Sequence, residues 1–301
     1  MNPQQAAQWQ NLVVGEVFKA IVTHEPLRDA LVFKGARILN LHLGKDRQSL
    51  DIDSNFAAEF VNSNPDLGTQ KSWLENHITV ALRNYFESQN PVRFILQTVN
   101  VKQSPPKHPH VHGWNGFLVL IKVEDEKYKN IRGLPNVEID IAAPEEFGPG
   151  AITQVVLEGL KLRGYALHRI AGEKLRAFLT SLPAYRLKMN GRMREHRAKD
   201  IHDLARILVA RPKGDEEFWR LAAEEFKIAC KSRYVDCAGS ETFFEDWRIT
   251  QQTYEADGTL IAVPFQCAEN ALRVVAGLLD RFDVYPLTFP LPLDRENGSY
   301  H

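Results

Sequence analysis

At 301 residues the chain has room for one large domain or two smaller ones, and 44% apolar with 25% charged residues is ordinary for a globular protein. A formal net charge of −1 gives the chain as a whole no pull toward polyanions, no apolar run reaches the length of a membrane span, and MNPQQAAQWQ carries no basic leader, so a cytoplasmic protein is expected. Cys230, Cys237 and Cys267 lack C-x-x-C spacing, which indicates neither a disulfide framework nor a zinc site.

Residues 3–23 read as an amphipathic helix, followed by a shorter helix or an extended segment up to Phe33. Next comes KGARILNLHLGKDRQSLDID, residues 34–53: a turn at Gly35, a short helix from Ala36, and a strand that ends on Asp51 and Asp53. Alternate residues of a strand share a face, so the two carboxylates project together while Ile52 enters the core. Such a pair suits Mg2+, which prefers oxygen ligands and binds through one or two protein carboxylates plus substrate phosphates. The helix start after Gly35 offers free N–H groups and a positive dipole end to phosphate. A D-x-D pair alone serves equally well as a solvated turn at a strand end.

Asp66 caps a predicted helix that runs to residue 89, with an apolar stripe through Trp73, Leu74, Ile78, Leu82, Tyr85 and Phe86. VRFILQTVNVK, HGWNGFLVLIKVE and NVEIDIAA follow as three strands, which makes residues 1–150 an α+β domain with a mixed, partly antiparallel sheet. Glu138 and Asp140 share a face of the last strand. His108, His110 and His112 alternate, yet the prolines at 105, 106 and 109 point to an irregular loop and away from zinc.

After FGPGA at 147–151 the chain is predicted to be mainly helical to residue 301, with an extended stretch near 152–167. A helix over Arg169–Thr180 carries Ala171, Leu175 and Phe178 on one stripe and Lys174 beside it. Asp200 and Asp203, at i and i+3, share a helix face, and Asp200 is also placed to act as an N-cap. Residues 161–213 hold fourteen Lys or Arg against four acids, a local surplus of ten. Arg186, Lys188, Arg192, Arg194, Arg197 and Lys199 form the kind of cluster that phosphate backbones attract, and a solvated helix and loop is the plain alternative. The later amphipathic helices read as structural or docking elements, with Trp219, Trp247 and Tyr254 as core aromatics by default and base stacking the alternative.

Taken in order, the turn at 34–37, R-Q-S-L-D-I-D at 47–53, HRIAGEKLRAFL at 168–179 and AKDIHDLARIL at 198–208 resemble the motifs of the AbiEii/AbiGii-type nucleotidyltransferase toxins of bacterial abortive-infection and toxin–antitoxin systems. The resemblance runs from about residue 30 to 210. Where that family has K-G-G-[ST], this chain has Lys34-Gly35-Ala36-Arg37, so a guanidinium replaces the hydroxyl expected at the triphosphate. A planar guanidinium fork also suits phosphate oxygens.

The resemblance implies a nucleotidyltransferase fold with a mixed sheet, then a mainly helical region at 151–301 that adds active-site helices and a basic surface. It implies transfer of a nucleoside monophosphate from an NTP to a hydroxyl, with release of pyrophosphate and with Mg2+, or Mn2+ in its place. It places Asp51, Asp53 and Asp140 on the metal, Asp51, Asp53, Lys174 and Asp200 in catalysis, and Lys34, Gly35, Arg37, Ser49 and Asp203 on the nucleotide. The implied acceptor is RNA, with the tRNA 3′ end as the leading target, bound by Arg186, Lys188, Arg192, Arg194, Arg197 and Lys199. A separately encoded antitoxin is the implied partner. Two rivals stay open: a transferase acting on a protein side chain or a small molecule, and a catalytically silent nucleotide- or RNA-binding module.

Overall fold

The computed structural model describes residues 3–44, 49–106, 115–129, 134–189 and 196–292. They fall into two compact units. Met1–Leu41, Gln48–Glu145 and Gln154–Gly164 make the first, and His42–Arg47, Glu146–Thr153 and Tyr165–His301 the second.

The first unit begins with α1 (Pro3–Thr23), α2 (Glu25–Ala30), β1 (Leu31–Lys34), α3 (Gly35–Leu43) and β2 (Asp51–Phe56). α4 (Ala58–Ser63), α5 (Leu67–Glu87), β3 (Phe94–Gln103), β4 (Gly116–Asp125), β5 (Val137–Ala142), β6 (Ile152–Leu157) and β7 (Leu160–Tyr165) follow. The seven strands form one sheet in the order β3-β4-β5-β2-β1-β7-β6. β2 runs antiparallel to β1 and parallel to β5, so the sheet is mixed as expected. Ile52, Val119, Ile121, Val137, Ile139 and Ile141 point into the core, where α1 supplies Val13, Val17 and Ile21 and α5 supplies Leu74, Ile78 and Leu82. Each such side chain contributes roughly 1.5–3 kcal/mol by leaving water. α5 starts where the sequence places it: the Asp66 carboxylate accepts from the Thr69 N–H at 2.6 Å, satisfying one of the open donors of the first turn.

Two elements differ from expectation. β2 opens with the two aspartates and continues to Phe56, because Ser54 and Asn55 are fully buried in a strand with neighbours on both sides. Their polarity gives the pattern of a strand end in the sequence. The stretch near 152–167 becomes β6 and β7, which extend the sheet at the β1 edge. Residues 154–164 therefore belong with the first unit although they follow the expected boundary at 150.

The second unit contains α6 (Leu167–Leu179), α7 (Pro183–Lys188), α8 (Ala198–Ala210), α9 (Glu216–Arg233), α10 (Trp247–Ala256) and α11 (Phe265–Arg281). α6 lies between α9 and α8, and α8 packs on α11. Gly172 permits the close approach of α6 to α9, since a β-carbon there would meet the Phe226 backbone nitrogen at 2.6 Å. Buried Arg169 donates from Nη1 to Glu225 Oε2 at 2.8 Å, and Oε1 of the same glutamate accepts from the Gly148 N–H at 2.8 Å. Trp219 and Tyr254 are buried, and Trp247 packs on the rings of Phe244 and Phe265, so these aromatics serve the core.

Candidate active site

The turn between β1 and α3 rests on Gly35, whose φ of +74° lies in the left-handed region that residues with a β-carbon rarely adopt. Asp53 packs directly over this turn: a β-carbon at position 35 would lie 2.1 Å from Asp53 Oδ2. Glycine is thus required twice, for its backbone angle and for the space the carboxylate fills.

Strand register assembles the rest. Lys34 stands opposite Asp53 across β1 and β2, while Asp140 stands opposite Asp53 and Glu138 opposite Asp51 across β2 and β5. Opposed residues share a face. One face therefore carries Asp51, Asp53, Glu138 and Asp140, with Lys34 beside Asp53. Desolvation and then the charges of Asp53, Asp51 and Glu138 push Asp140 up to about 6, with Lys34 pulling the other way. The residue presents surface to solvent, so of these causes the neighbouring carboxylates carry the weight. Lys34 Nζ lies 3.4 Å from Glu145 Oε1. That partner is 111 residues away in the chain, and no local pattern announces it.

Arg37 sits under the carboxylates. Its Nε donates to the Asp51 carbonyl at 3.2 Å and its Nη2 to the Ser49 carbonyl at 2.9 Å. The Ser49 hydroxyl donates to Asp51 Oδ1 at 3.1 Å. Burial lowers Arg37 to about 10, opposed by the Asp51 charge, so it remains a cation at neutral pH. The guanidinium that departs from the family's turn thus holds the backbone leading into β2.

Among the described residues no three His, Cys, Asp or Glu side chains form a group that would hold a metal. The donor set nevertheless fits a hard divalent ion, which needs only one or two protein carboxylates when phosphates complete its shell. Crowding of like charge at Asp140 is what such a cation would relieve.

A second cluster lies in the other unit. Lys174 Nζ on α6 is 2.9 Å from Asp200 Oδ1 and 2.7 Å from Asp203 Oδ2, both aspartates on α8 and both fully buried. The i, i+3 spacing does put the two carboxylates on one face. Arg197, not Asp200, occupies the N-cap position of α8, and its Nε donates to Asp200 Oδ2 at 2.5 Å. Desolvation alone would raise Asp200, but Arg197 and Lys174 together override it and hold the carboxyl down to about 2. Lys174 is buried and clamped, unlike the exposed lysine that a helix surface usually carries.

The basic stretch is partly tied up internally. Arg186 donates to the Ser181 carbonyl, and Lys188 Nζ donates to Asp236 Oδ2 and the Phe289 carbonyl, each at 2.7 Å. Lys199 is exposed and makes no ion pair among the described residues. Arg47, Arg192 and Arg194 lie outside the described residues, as do His108, His110 and His112.

Residues 17–270 match the family model of the nucleotidyl transferase AbiEii toxin of type IV toxin–antitoxin systems. The match spans most of the chain, and the protein belongs to this family of nucleotidyltransferase toxins. Membership makes it a nucleotidyltransferase and implies an NTP substrate and an antitoxin partner. No curated protein sequence matches the chain. Among solved structures, MenT4, a nucleotidyltransferase toxin from Mycobacterium tuberculosis H37Rv, is 13% identical with a TM-score of 0.39, covering 93% of this chain and 99% of that one. An antigenic nucleotidyltransferase-like protein from Paracoccidioides brasiliensis is also 13% identical, with a TM-score of 0.34 and coverage of 70% and 78%. Among the described residues no helix is long and apolar enough to cross a membrane.

Proposed function

We propose that the protein transfers a nucleoside monophosphate from an NTP to a hydroxyl of RNA, with the tRNA 3′ end as the leading acceptor and Mg2+ or Mn2+ as the ion. The observation that carries this reading is the register of β2 between β1 and β5, which sets Asp140 beside Asp53 and Asp53 over the Gly35 turn. In the reaction the acceptor oxygen attacks the α-phosphorus, the bond from that phosphorus to the α,β-bridging oxygen breaks, and pyrophosphate leaves with the electron pair. Divalent ions when bound would assist deprotonation of the acceptor hydroxyl and balance charge on the leaving pyrophosphate.

The chain's own residues have separable tasks in this scheme. Asp51, Asp53 and Asp140 hold the cations. The first turn of α3 offers its N–H groups to phosphate, and Lys34 adds positive charge at the end of β1. Arg37 and Ser49 position Asp51. Lys174, fixed by Asp200 and Asp203, is a preorganised cation for phosphate charge.

A catalytically silent binding module remains the competing reading, favoured by the engagement of Arg37 with backbone carbonyls where the family turn has a hydroxyl. Incubating the full chain with each α-labelled NTP, Mg2+ and either total RNA, purified tRNA or a protein lysate separates the cases. Label on RNA supports the proposal, label confined to protein overturns the acceptor, and no label with any NTP favours the silent module.

A further inference from the structure

We propose that a polar cavity in the second unit is a phosphate site for the acceptor RNA, an inference that rests on the transfer to RNA proposed above. The cavity holds about 300 Å3 and is walled by α6, the start of α8 and the end of α10, with Arg176, His196, Arg197, Lys199, Thr253 and Asp257 in its lining. This is the low end of ligand-site volumes, suited to one small group. No Phe, Tyr or Trp ring is among the lining residues, and cationic and hydroxyl side chains predominate there. The chemistry of the walls is that of a phosphate.

Three cations converge on it. Arg176 is held by Glu173 and Arg197 by Asp200, which fixes both guanidinium groups, whereas Lys199 is exposed and makes no ion pair among the described residues. The one carboxylate in the lining is turned to other donors: Asp257 Oδ1 accepts from the Thr259 N–H at 2.9 Å and from its hydroxyl at 2.6 Å.

The start of a helix also points to an anion. Ala198 and Lys199 are the first residues of the thirteen-residue α8, whose N-cap makes no side-chain hydrogen bond, so the open N–H groups and the positive dipole end of that helix meet the cavity. His196 Nε2 is hydrogen-bonded to Thr250 Oγ1 at 2.5 Å, while its Nδ1 is buried without a partner among the described residues. A phosphate oxygen in the cavity meets the helix start and Lys199 at once. The lining shares Arg197 and Lys199 with the basic stretch, which makes the backbone of a polynucleotide the source of the phosphate in preference to a free nucleotide.

The test uses the full chain and a fluorescein-labelled RNA hairpin with a single-stranded 3′ end, its affinity measured across a series of salt concentrations. Lys199→Glu reverses the exposed cation and Thr253→Asp puts a carboxylate into the cavity, while Lys199→Arg keeps the charge. Each of the first two is expected to weaken RNA binding about tenfold and to reduce the slope of log affinity against log salt by about 0.7–0.9 for each phosphate no longer neutralised. Lys199→Arg should match the wild type, and ATP affinity should be unchanged in all three, with melting curves confirming the fold. Unchanged affinity and slope in Lys199→Glu and Thr253→Asp would overturn the site. Loss of ATP affinity with RNA binding intact would also overturn it, assigning the cavity to a free nucleotide. Label transfer on the same samples keeps the two proposals apart: transfer with insensitive RNA binding removes only the phosphate site, and sensitive binding without transfer removes only the enzymatic reading.

Discussion

Asp53 and Gly35 interlock: the carboxylate fills the space where a β-carbon at position 35 would sit, 2.1 Å from Oδ2, over a backbone held at a φ of +74°. The Gly35 turn and the carboxylate strand are thereby placed by one contact, although the two residues lie eighteen positions apart in the sequence.

Gly35→Ala should therefore harm both stability and chemistry. The left-handed backbone alone costs about 1–3 kcal/mol for a residue with a β-carbon, and the Asp53 side chain must also swing away. Urea denaturation should show the loss, and transfer measured where the variant is still folded should fall well below wild type. Wild-type turnover would mean that the Asp53 carboxylate need not lie over the turn.

Arg37→Ala removes donors from the Ser49 and Asp51 carbonyls. Hydrogen bonds from a charged group are worth roughly 1.5–3 kcal/mol, so a stability loss of that order is expected together with weaker metal dependence. Arg37→Lys should fail to restore it, because a single ammonium does not reproduce the fork that reaches two carbonyls. Recovery of both properties in the lysine variant would make position 37 a simple charge requirement.

Much of this is legible in the sequence. The Asp66 cap, the three strands after α5 and the glycine turn ahead of D-x-D are local signals, and they correspond to local structure. What escapes has a physical reason in each case. Ser54 and Asn55 are buried polar residues, so β2 reads as shorter than it is and its aspartates read as terminal. β6 carries exposed Ile152 and Val156 at the sheet edge, which blurs the alternation that marks a half-buried strand. The pairing of Lys34 with Glu145 depends on tertiary contact and leaves no mark in a single sequence, whereas the grouping of Asp140 with Asp51 and Asp53 comes from the family resemblance, and the register that sets it opposite Asp53 is seen only in the structure.

Lys174→Ala leaves Asp200 and Asp203 buried without the lysine that bridges them. Breaking a buried pair this way costs about 3–5 kcal/mol, so thermal unfolding should drop sharply, and Asp203→Asn in the same chain should recover part of it. The pH dependence follows from Asp200, whose folded value of about 2 lies below the usual carboxylate range. Its contribution is fully present above roughly pH 4, the unfolded value, and is lost as pH falls through the folded one. In Lys174→Ala, with only Arg197 holding Asp200 down, that acid loss should begin at higher pH. An unaltered acid transition in the variant would show that Lys174 does not set the ionisation of Asp200.

The most direct measurement is pyrophosphate release and label transfer to RNA by the wild type and by Asp53→Asn, with Mg2+ titrated in both. Asp53 touches the turn, faces Asp140 and removes no core packing when its charge is neutralised. The account predicts Mg2+-dependent transfer in the wild type and its loss in a variant whose melting curve is unchanged or raised, since like charge beside Asp140 has been relieved. Equal Mg2+-dependent turnover in Asp53→Asn, or no transfer by the wild type with any NTP, would contradict it.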